Sequence, residues 1–161
     1  GLAPDSDEPM DEVTKTYVQE AWGAVAQRTG VEFNHAFWSE CAPRRSTYPS
    51  CRAVIVAGEW GKAEVMLAAI QRAYYQEARN PSDTETLTAL AQEVGLDSAA
   101  FEGALSAPET QERLERDFAL RSGIGAYSFP SVGLLDGDQA QLLTTGWCEA
   151  SVLSAALREA L

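Results

Sequence analysis

The chain has 161 residues, enough for one domain with a real core. It is 45% hydrophobic and 22% charged, as ordinary soluble globular proteins are, and no apolar run approaches the roughly 20 residues that a membrane-spanning helix needs. A net charge of −12 repels phosphate backbones and argues against nucleic acid as a partner; its plain reading is solubility.

No basic n-region followed by an apolar stretch opens the chain, so a secretory leader is not expected and the sequence reads as cytoplasmic. The first residue is Gly1 rather than Met, which reads as a processed product or a fragment. Three cysteines, Cys41, Cys51 and Cys148, are too few and too oddly spaced for a disulfide framework, and with His35 they match no zinc spacing. No metal and no cofactor is expected; Gly123-x-Gly125 alone does not make a phosphate loop.

Residues 1–10, rich in Pro, Asp and Ser, read as an acidic loop. A helix is expected from Asp11 to Arg28, with Val13, Tyr17, Ala21 and Val25 in one apolar stripe, Trp22 beside it and Gly30 just past its end. Residues 31–45 show no clear period; Phe33, Phe37 and Trp38 are anchors there, and Tyr17, Trp22, Phe37 and Trp38 read as core. Ser46 or Thr47 can cap a helix with Pro49 in its first turn, running through Val54 and Val56 to about Gly58. A third helix spans Gly61 to Glu77, with Val65, Met66, Ala69, Ile70, Ala73 and Tyr74 on one side, and Asn80-Pro81 stops the chain.

Ser82-x-x-Glu85 reads as a capping box for a short helix that buries Leu87, Leu90, Ala91 and Val94. Asp97 caps another through Phe101 and Leu105, and Pro108 starts a sixth with Leu114 and Phe118 inside. The pattern then changes. A Gly-containing loop leads to Phe129-Pro130 and a strand over Ser131–Leu135; Asp136-Gly137 signals a hairpin and Gln139–Thr144 returns. A last helix from Glu149 to Ala160 is expected to bury Val152, Leu153, Ala156 and Leu157.

Cys51 is the candidate reactive thiol. It falls in the first turn of a helix, where the dipole favours a thiolate, with Arg44, Arg45 and Arg52 nearby in sequence. An inert cysteine on a helix face fits the same position. Cys148, beside Trp147, reads as packing, and His35 as a local hydrogen-bonding residue. Pro130 fits an ordinary trans proline at a strand start as well as a cis one.

Three stretches carry a family resemblance: Gly1-Leu2-Ala3-Pro4 with its acidic loop; Arg44-Arg45-Ser46-Thr47-Tyr48-Pro49-Ser50-Cys51-Arg52-Ala53; and Asn80-Pro81-Ser82-Asp83 through Leu87, Ala91-x-x-Val94-Gly95-Leu96-Asp97 and Phe101. With the closing order of helix, aromatic-Pro pair, hairpin and helix, the chain resembles the DsbA family of thiol–disulfide oxidoreductases, in the branch of protein-disulfide isomerases and FrnE-like proteins.

The resemblance implies an α/β, thioredoxin-like fold of DsbA type with a large helical insertion. Residues 1–122 would be the N-terminal loop and insertion, and residues 123–161 the end of the thioredoxin-like domain. It implies a cis Pro130 that shapes, with Phe129, a groove for a thiol- or disulfide-containing peptide or protein, and it places Ser46 and Thr47 beside that site as substrate-binding residues. In the family a strand, a helix headed by Cys-x-x-Cys and a second strand come before this point. Here no two cysteines lie two residues apart, so no catalytic residue is carried over and the chain is expected to lack redox activity. The first strand of the hairpin would then present an open edge, covered by a second copy of the chain or by the N-terminal loop. The same fold hosts redox-inactive binding modules, and kappa-class glutathione transferases and chromene-carboxylate isomerases that use a serine.

Overall fold

The computed structural model describes residues 2–137 and 139–161; Gly1, read as part of the N-terminal loop, lies outside them. The elements run α1 (Glu12–Thr29), α2 (Phe37–Glu40), α3 (Tyr48–Glu59), α4 (Ala63–Gln76), α5 (Thr84–Glu93), α6 (Ser98–Leu105), α7 (Pro108–Gly123), β1 (Ser131–Asp136), β2 (Gln139–Thr145) and α8 (Ala150–Ala160). The chain divides into two compact units, Leu2–Gln111 and Glu112–Leu161.

In the first unit α3 packs on α4, α5 and α6, and α5 packs on α4 and α6. Their shared core holds Val56, Met66, Leu87, Leu90 and Phe101, all fully buried. Small residues at Ala53, Ala57, Ala69, Ala73 and Ala91 let the helices close on these larger side chains.

The first helix departs from expectation. Asp11 caps it by accepting the Thr14 N–H at 2.8 Å, and Gly30, at φ 73°, ends it by donating to Ala26. Its apolar stripe, however, lies in solvent: Val13 is 80% exposed and Tyr17 70%, and Val25 is exposed as well. Only Trp22 is buried. Tyr17 is therefore not core. A single large ring supplies what the stripe does not. Trp22 stacks on Phe33 at 5.1 Å and meets Phe37, Trp38, Tyr74 and Tyr75 at 5.0–6.0 Å between ring centres. His35 joins this cluster edge-on at 5.8 Å.

Two expected caps are replaced. The Ser82-x-x-Glu85 box does not form; Asp83 is the N-cap of α5, and the Ser82 hydroxyl instead donates to the Ser46 carbonyl at 2.7 Å. Thr47 is the N-cap of α3 without a side-chain cap bond, because its Oγ1 accepts the Ala3 N–H at 2.8 Å. That bond, the Met10 to Pro43 backbone bond at 2.8 Å and a bridge between Pro9 and Arg44 hold the N-terminal loop to the helical body. Val65, expected inside, is 49% exposed. After α4, Ala78 takes φ 53°, and Arg79 and Arg72 each bond to both Glu77 and Glu93 in a closed ring of ion pairs.

In the second unit β1 and β2 form an antiparallel hairpin in a two-stranded sheet, with a register irregularity between Val132 and Gly133. A Cβ at Gly133 would sit 2.9 Å from the Ile124 Cδ1 and 3.2 Å from the Gln141 carbonyl, so a larger residue there needs Ile124 to shift. Helix α8 packs on β2. None of its residues is buried, against expectation; Val152 is 52% exposed, because a two-stranded sheet is too narrow to cover the helix. Phe118 is only half-buried, whereas Leu114 is inside.

Truncating Phe101 to Ala should destabilise the chain by about 3–5 kcal/mol in urea unfolding, while Val13→Ser should stay within about 0.5 kcal/mol. A large loss from Val13→Ser would mean that the α1 stripe is buried in solution.

Candidate functional site

Two places bring the sequence candidates together. The first is the loop before β1. The Phe129–Pro130 peptide bond is cis, as the resemblance implied and against an ordinary trans proline. Helix α7 ends in a turn where Gly125, at φ 75°, lets the Ala126 N–H return to the Arg121 carbonyl at 3.0 Å. The Tyr127 hydroxyl donates to the Ser122 carbonyl at 3.2 Å, and the Arg121 guanidinium carbon lies 5.7 Å from the centre of the Tyr127 ring. Ser131 Oγ donates to the Ser128 carbonyl at 2.6 Å, and the Pro130 carbonyl accepts the Gly146 N–H at 2.8 Å.

Those bonds fix the loop on both sides of Phe129 and leave Phe129 itself open. Its side chain is 49% exposed, and its backbone N–H and carbonyl make no hydrogen bond among the described residues. A backbone tied on both sides, with one donor and one acceptor unoccupied, is what an incoming peptide can pair with.

The second place is the start of α3. Ser46 is 5% exposed and Thr47 is tied to Ala3. Cys51 stands in the first turns of α3, half-buried, its N–H donating to the Thr47 carbonyl at 3.1 Å. Two of the three arginines near Cys51 in sequence, Arg44 and Arg52, are paired with carboxylates. Arg44 bonds to Asp83 and, at 3.0 Å, to the Ser82 carbonyl. Arg52 grips Asp5 with both of its terminal nitrogens, one at 3.0 Å, and also meets Gln111 at 3.2 Å.

Cys41, Cys51 and Cys148 are all thiols. Cys41 Sγ donates to the Ala78 carbonyl at 2.9 Å; burial pushes that thiol's pKa up, and Asp83 and Glu40 push it further. Cys41 is therefore a poor resolving partner for any other thiol. No group of His, Cys, Asp and Glu among the described residues is arranged to hold a metal.

Two adjoining cavities line this second place. One, of about 360 Å³, is polar and runs past Asp5, Asp7, Arg52, Ser106 and Gln111. The other, of about 190 Å³, is apolar and bounded by Phe37, Ile70, Tyr74 and Tyr75. Arg44, Ser46 and Ser82 belong to the walls of both. Cys51 lines neither. The sequence reading missed Asn80 as a site-building residue. It is 5% exposed, donates to the Ala42 carbonyl at 3.2 Å and accepts the Ser82 N–H at 3.1 Å. The signal was present in Asn80-Pro81-Ser82-Asp83, where three short polar side chains crowd a proline turn.

A cis-proline loop, a hairpin and a closing helix, preceded in the chain by a helical body, define a thioredoxin-like protein with a helical insertion. The family model of the DSBA-like thioredoxin domain matches residues 3–152, and the chain belongs to that family. The protein YwbO of Bacillus subtilis (strain 168) is 31% identical over 106 residues, which are 65% of this chain and 52% of YwbO. The chain thus spans about half the length of that curated relative.

Among solved structures, a candidate protein disulfide isomerase from Nitrosomonas europaea matches with a TM-score of 0.85 at 24% identity, covering 97% of this chain and 78% of that one. At that identity the likeness speaks for the fold alone. The cytosolic disulfide reductase DsbM from Pseudomonas aeruginosa matches with a TM-score of 0.73 at 27% identity, covering 85% of this chain and 69% of that one. No described helix is long and apolar enough to cross a membrane.

Arg52 holds the Asp5 carboxyl below the usual carboxylate range, chiefly through their hydrogen bond, against a smaller opposing effect of burial. A depressed folded-state pKa means that this clasp is fully present above the unfolded value near 4 and is lost as pH falls through the lower folded value. Protection of the Ala3 amide, taken relative to its intrinsic exchange rate at each pH, should therefore fall as pH drops through the depressed Asp5 value, and Asp5→Asn should show the lower protection already at pH 7. Equal exchange in both proteins at pH 7 would show that the clasp does not anchor the loop.

Proposed function

We propose that this chain is the substrate-binding part of a thiol–disulfide oxidoreductase or isomerase, and that a thiol- or disulfide-containing peptide docks on the Phe129–Pro130 loop. The observation that carries the reading is the Phe129 backbone, whose donor and acceptor are both unoccupied among the described residues while the bonds on either side hold it in place. A peptide laid antiparallel to it gains two main-chain hydrogen bonds and sets its own thiol or disulfide beside Pro130, with Phe129 and Tyr127 as exposed apolar surface around it. That a relative of 27% identity is a disulfide reductase supports the substrate class. Thr47, its hydroxyl engaged by Ala3, and the buried Ser46 belong to the helical body and are given no contact with the peptide in this reading.

Exchange itself needs a thiolate of low pKa at a helix start and a resolving thiol one turn on. No two of the cysteines in these 161 residues are spaced for that role. The 161 residues by themselves are thus a binding part with little or no redox activity. The same spacing favours a second reading, a peptide-binding module without redox chemistry. The intact mass of the protein from its native cells separates the two. A mass clearly above 17.4 kDa directs attention to the helix that precedes this chain, and a mass equal to it favours the module.

Peptide docking is tested directly by titrating an extended cysteine-containing peptide into labelled protein. The amides of Phe129 and Ser131 should shift in a saturable way. Unchanged shifts from Ser128 to Val132 at millimolar peptide would overturn the site.

The hairpin edge carries a further proposal. Among the described residues β1 pairs with β2 on one side only, and a second copy of the chain is the cover proposed for its open edge. Light scattering should then give twice the chain mass. A monomer with fast amide exchange along Val132–Leu135 would count against it.

A further inference from the structure

We infer that the polar cavity of the helical body is a carboxylate site which the chain itself fills: Asp5, carried on the N-terminal loop, is its tethered ligand, and a small polar carboxylate from solution competes for the same place. The residues that wall it all belong to Leu2–Gln111, so it does not depend on peptide docking at Phe129.

The receptor half is built on helices. Arg52 stands on α3, and its side chain is 16% exposed. One terminal nitrogen donates to an Asp5 oxygen at 3.0 Å and to Gln111 Oε1 at 3.2 Å, and the other nitrogen donates to the second Asp5 oxygen. Two parallel N–H···O bonds are the bidentate pair that a guanidinium forms with any carboxylate. The Gln111 bond comes from the first turn of α7 and not from the loop, so it orients the guanidinium whether or not Asp5 is in place.

The carboxylate half arrives on a lightly tied span. At one end the Ala3 carbonyl accepts the Thr47 N–H at 3.0 Å, and the Ala3 N–H donates to Thr47 Oγ1 at 2.8 Å. At the other end Pro9 bridges to Arg44 and the Met10 N–H donates to the Pro43 carbonyl at 2.8 Å. Between these ends, among the described residues, Asp5 makes the only hydrogen bonds to the helical body; the bond from the Glu8 N–H to Ser6 Oγ is local. The Asp5 side chain is 56% exposed. It can swing into water by giving up its bonds to Arg52 alone, with the span still held at both ends.

Room and charge both favour a replacement. Beside the Asp5–Arg52 pair lies a cavity of about 360 Å³, a size found for small-molecule sites, with Asp7, Ser106 and Gln111 also in its walls. Of its two arginines, Arg44 is matched by Asp83, so Arg52 is the cation left over when Asp5 departs. A largely covered guanidinium without an anion is unfavourable, and a carboxylate that follows Asp5 in relieves that cost. Asp7 lies on the same span and repels an outside anion while the span is closed. Hydroxyl and amide side chains in the walls suit a short polar acid rather than an apolar one.

The test uses the 161-residue chain with two probes of one shape, N-acetylglycine and its neutral amide. N-acetylglycine should bind Asp5→Ala about tenfold or more tightly than the unaltered chain, because the tethered competitor is gone, and the amide should gain nothing. Asp7→Ala removes the same charge from the same span but no bond to Arg52, and should change binding by about threefold or less. Adding Arg52→Gln to Asp5→Ala should return binding to the level of the unaltered chain or below. In the unaltered chain at pH 7, a large excess of N-acetylglycine should shift the Asp5 carboxyl carbon signal in a saturable way, and the amide at equal ionic strength should not; this readout needs no variant to fold. No gain in Asp5→Ala, an equal gain in Asp7→Ala, an equal gain for the amide, or an Asp5 signal that the excess acid leaves in place would each overturn the inference.

Discussion

The helical body depends on one hydrogen-bonded mesh between residues 42–50 and residues 80–83. Both stretches lie largely outside regular helix, so their backbone groups need partners that no helix supplies. Asn80 reaches Ala42, the Ser82 hydroxyl reaches Ser46, and Ser50 Oγ reaches the Pro81 carbonyl at 2.8 Å. Arg44 closes the mesh on Ser82 and Asp83. Each bond contributes about 1 kcal/mol net, but losing one member strands its buried partner and costs more. The mesh fixes where α3 and α5 begin. That in turn decides which faces of those helices bring Val56, Leu87 and Leu90 into the shared core. The apolar cavity is a by-product of the same arrangement, since the residues that tie the loops also form its wall.

A chain this acidic uses its few cations locally. Arg44 is taken by Asp83 and Arg52 by Asp5. What remains at the Phe129 loop is backbone and aromatic surface, with Arg121 over Tyr127 at its side. Recognition through main-chain bonds is tolerant of substrate sequence, because every peptide presents the same groups apart from proline.

Much of this was legible beforehand. Asp97 and Pro108 mark helix starts that the structure keeps, since short polar side chains and proline act within one turn of their own position. Asp136-Gly137 marks the hairpin for the same reason. The cis bond before Pro130 came from likeness, not from the residues, because no local pattern separates it from a trans one. The failures share a physical cause. Val13, Tyr17 and Val25 have the period of a buried face, but periodicity describes a helix and not its neighbours. Ser82 has the spacing of a cap, yet a carbonyl thirty-six residues earlier competes for it and wins. Trp22 gave no sign of gathering Phe33, Phe37, Trp38 and two tyrosines, because those partners are distant in sequence and follow no repeat.

The ring of Arg72, Glu77, Arg79 and Glu93 behaves differently from the rest of the fold when heat is applied. Its side chains are largely in contact with water, so near room temperature it adds little. The hydration that competes with it weakens on warming, while hydrophobic stabilisation per unit area levels off. The junction between the end of α4 and the end of α5 is therefore held relatively better as temperature climbs. Thermal opening of the chain is then directed toward parts without such a ring, the little-buried α8 among them.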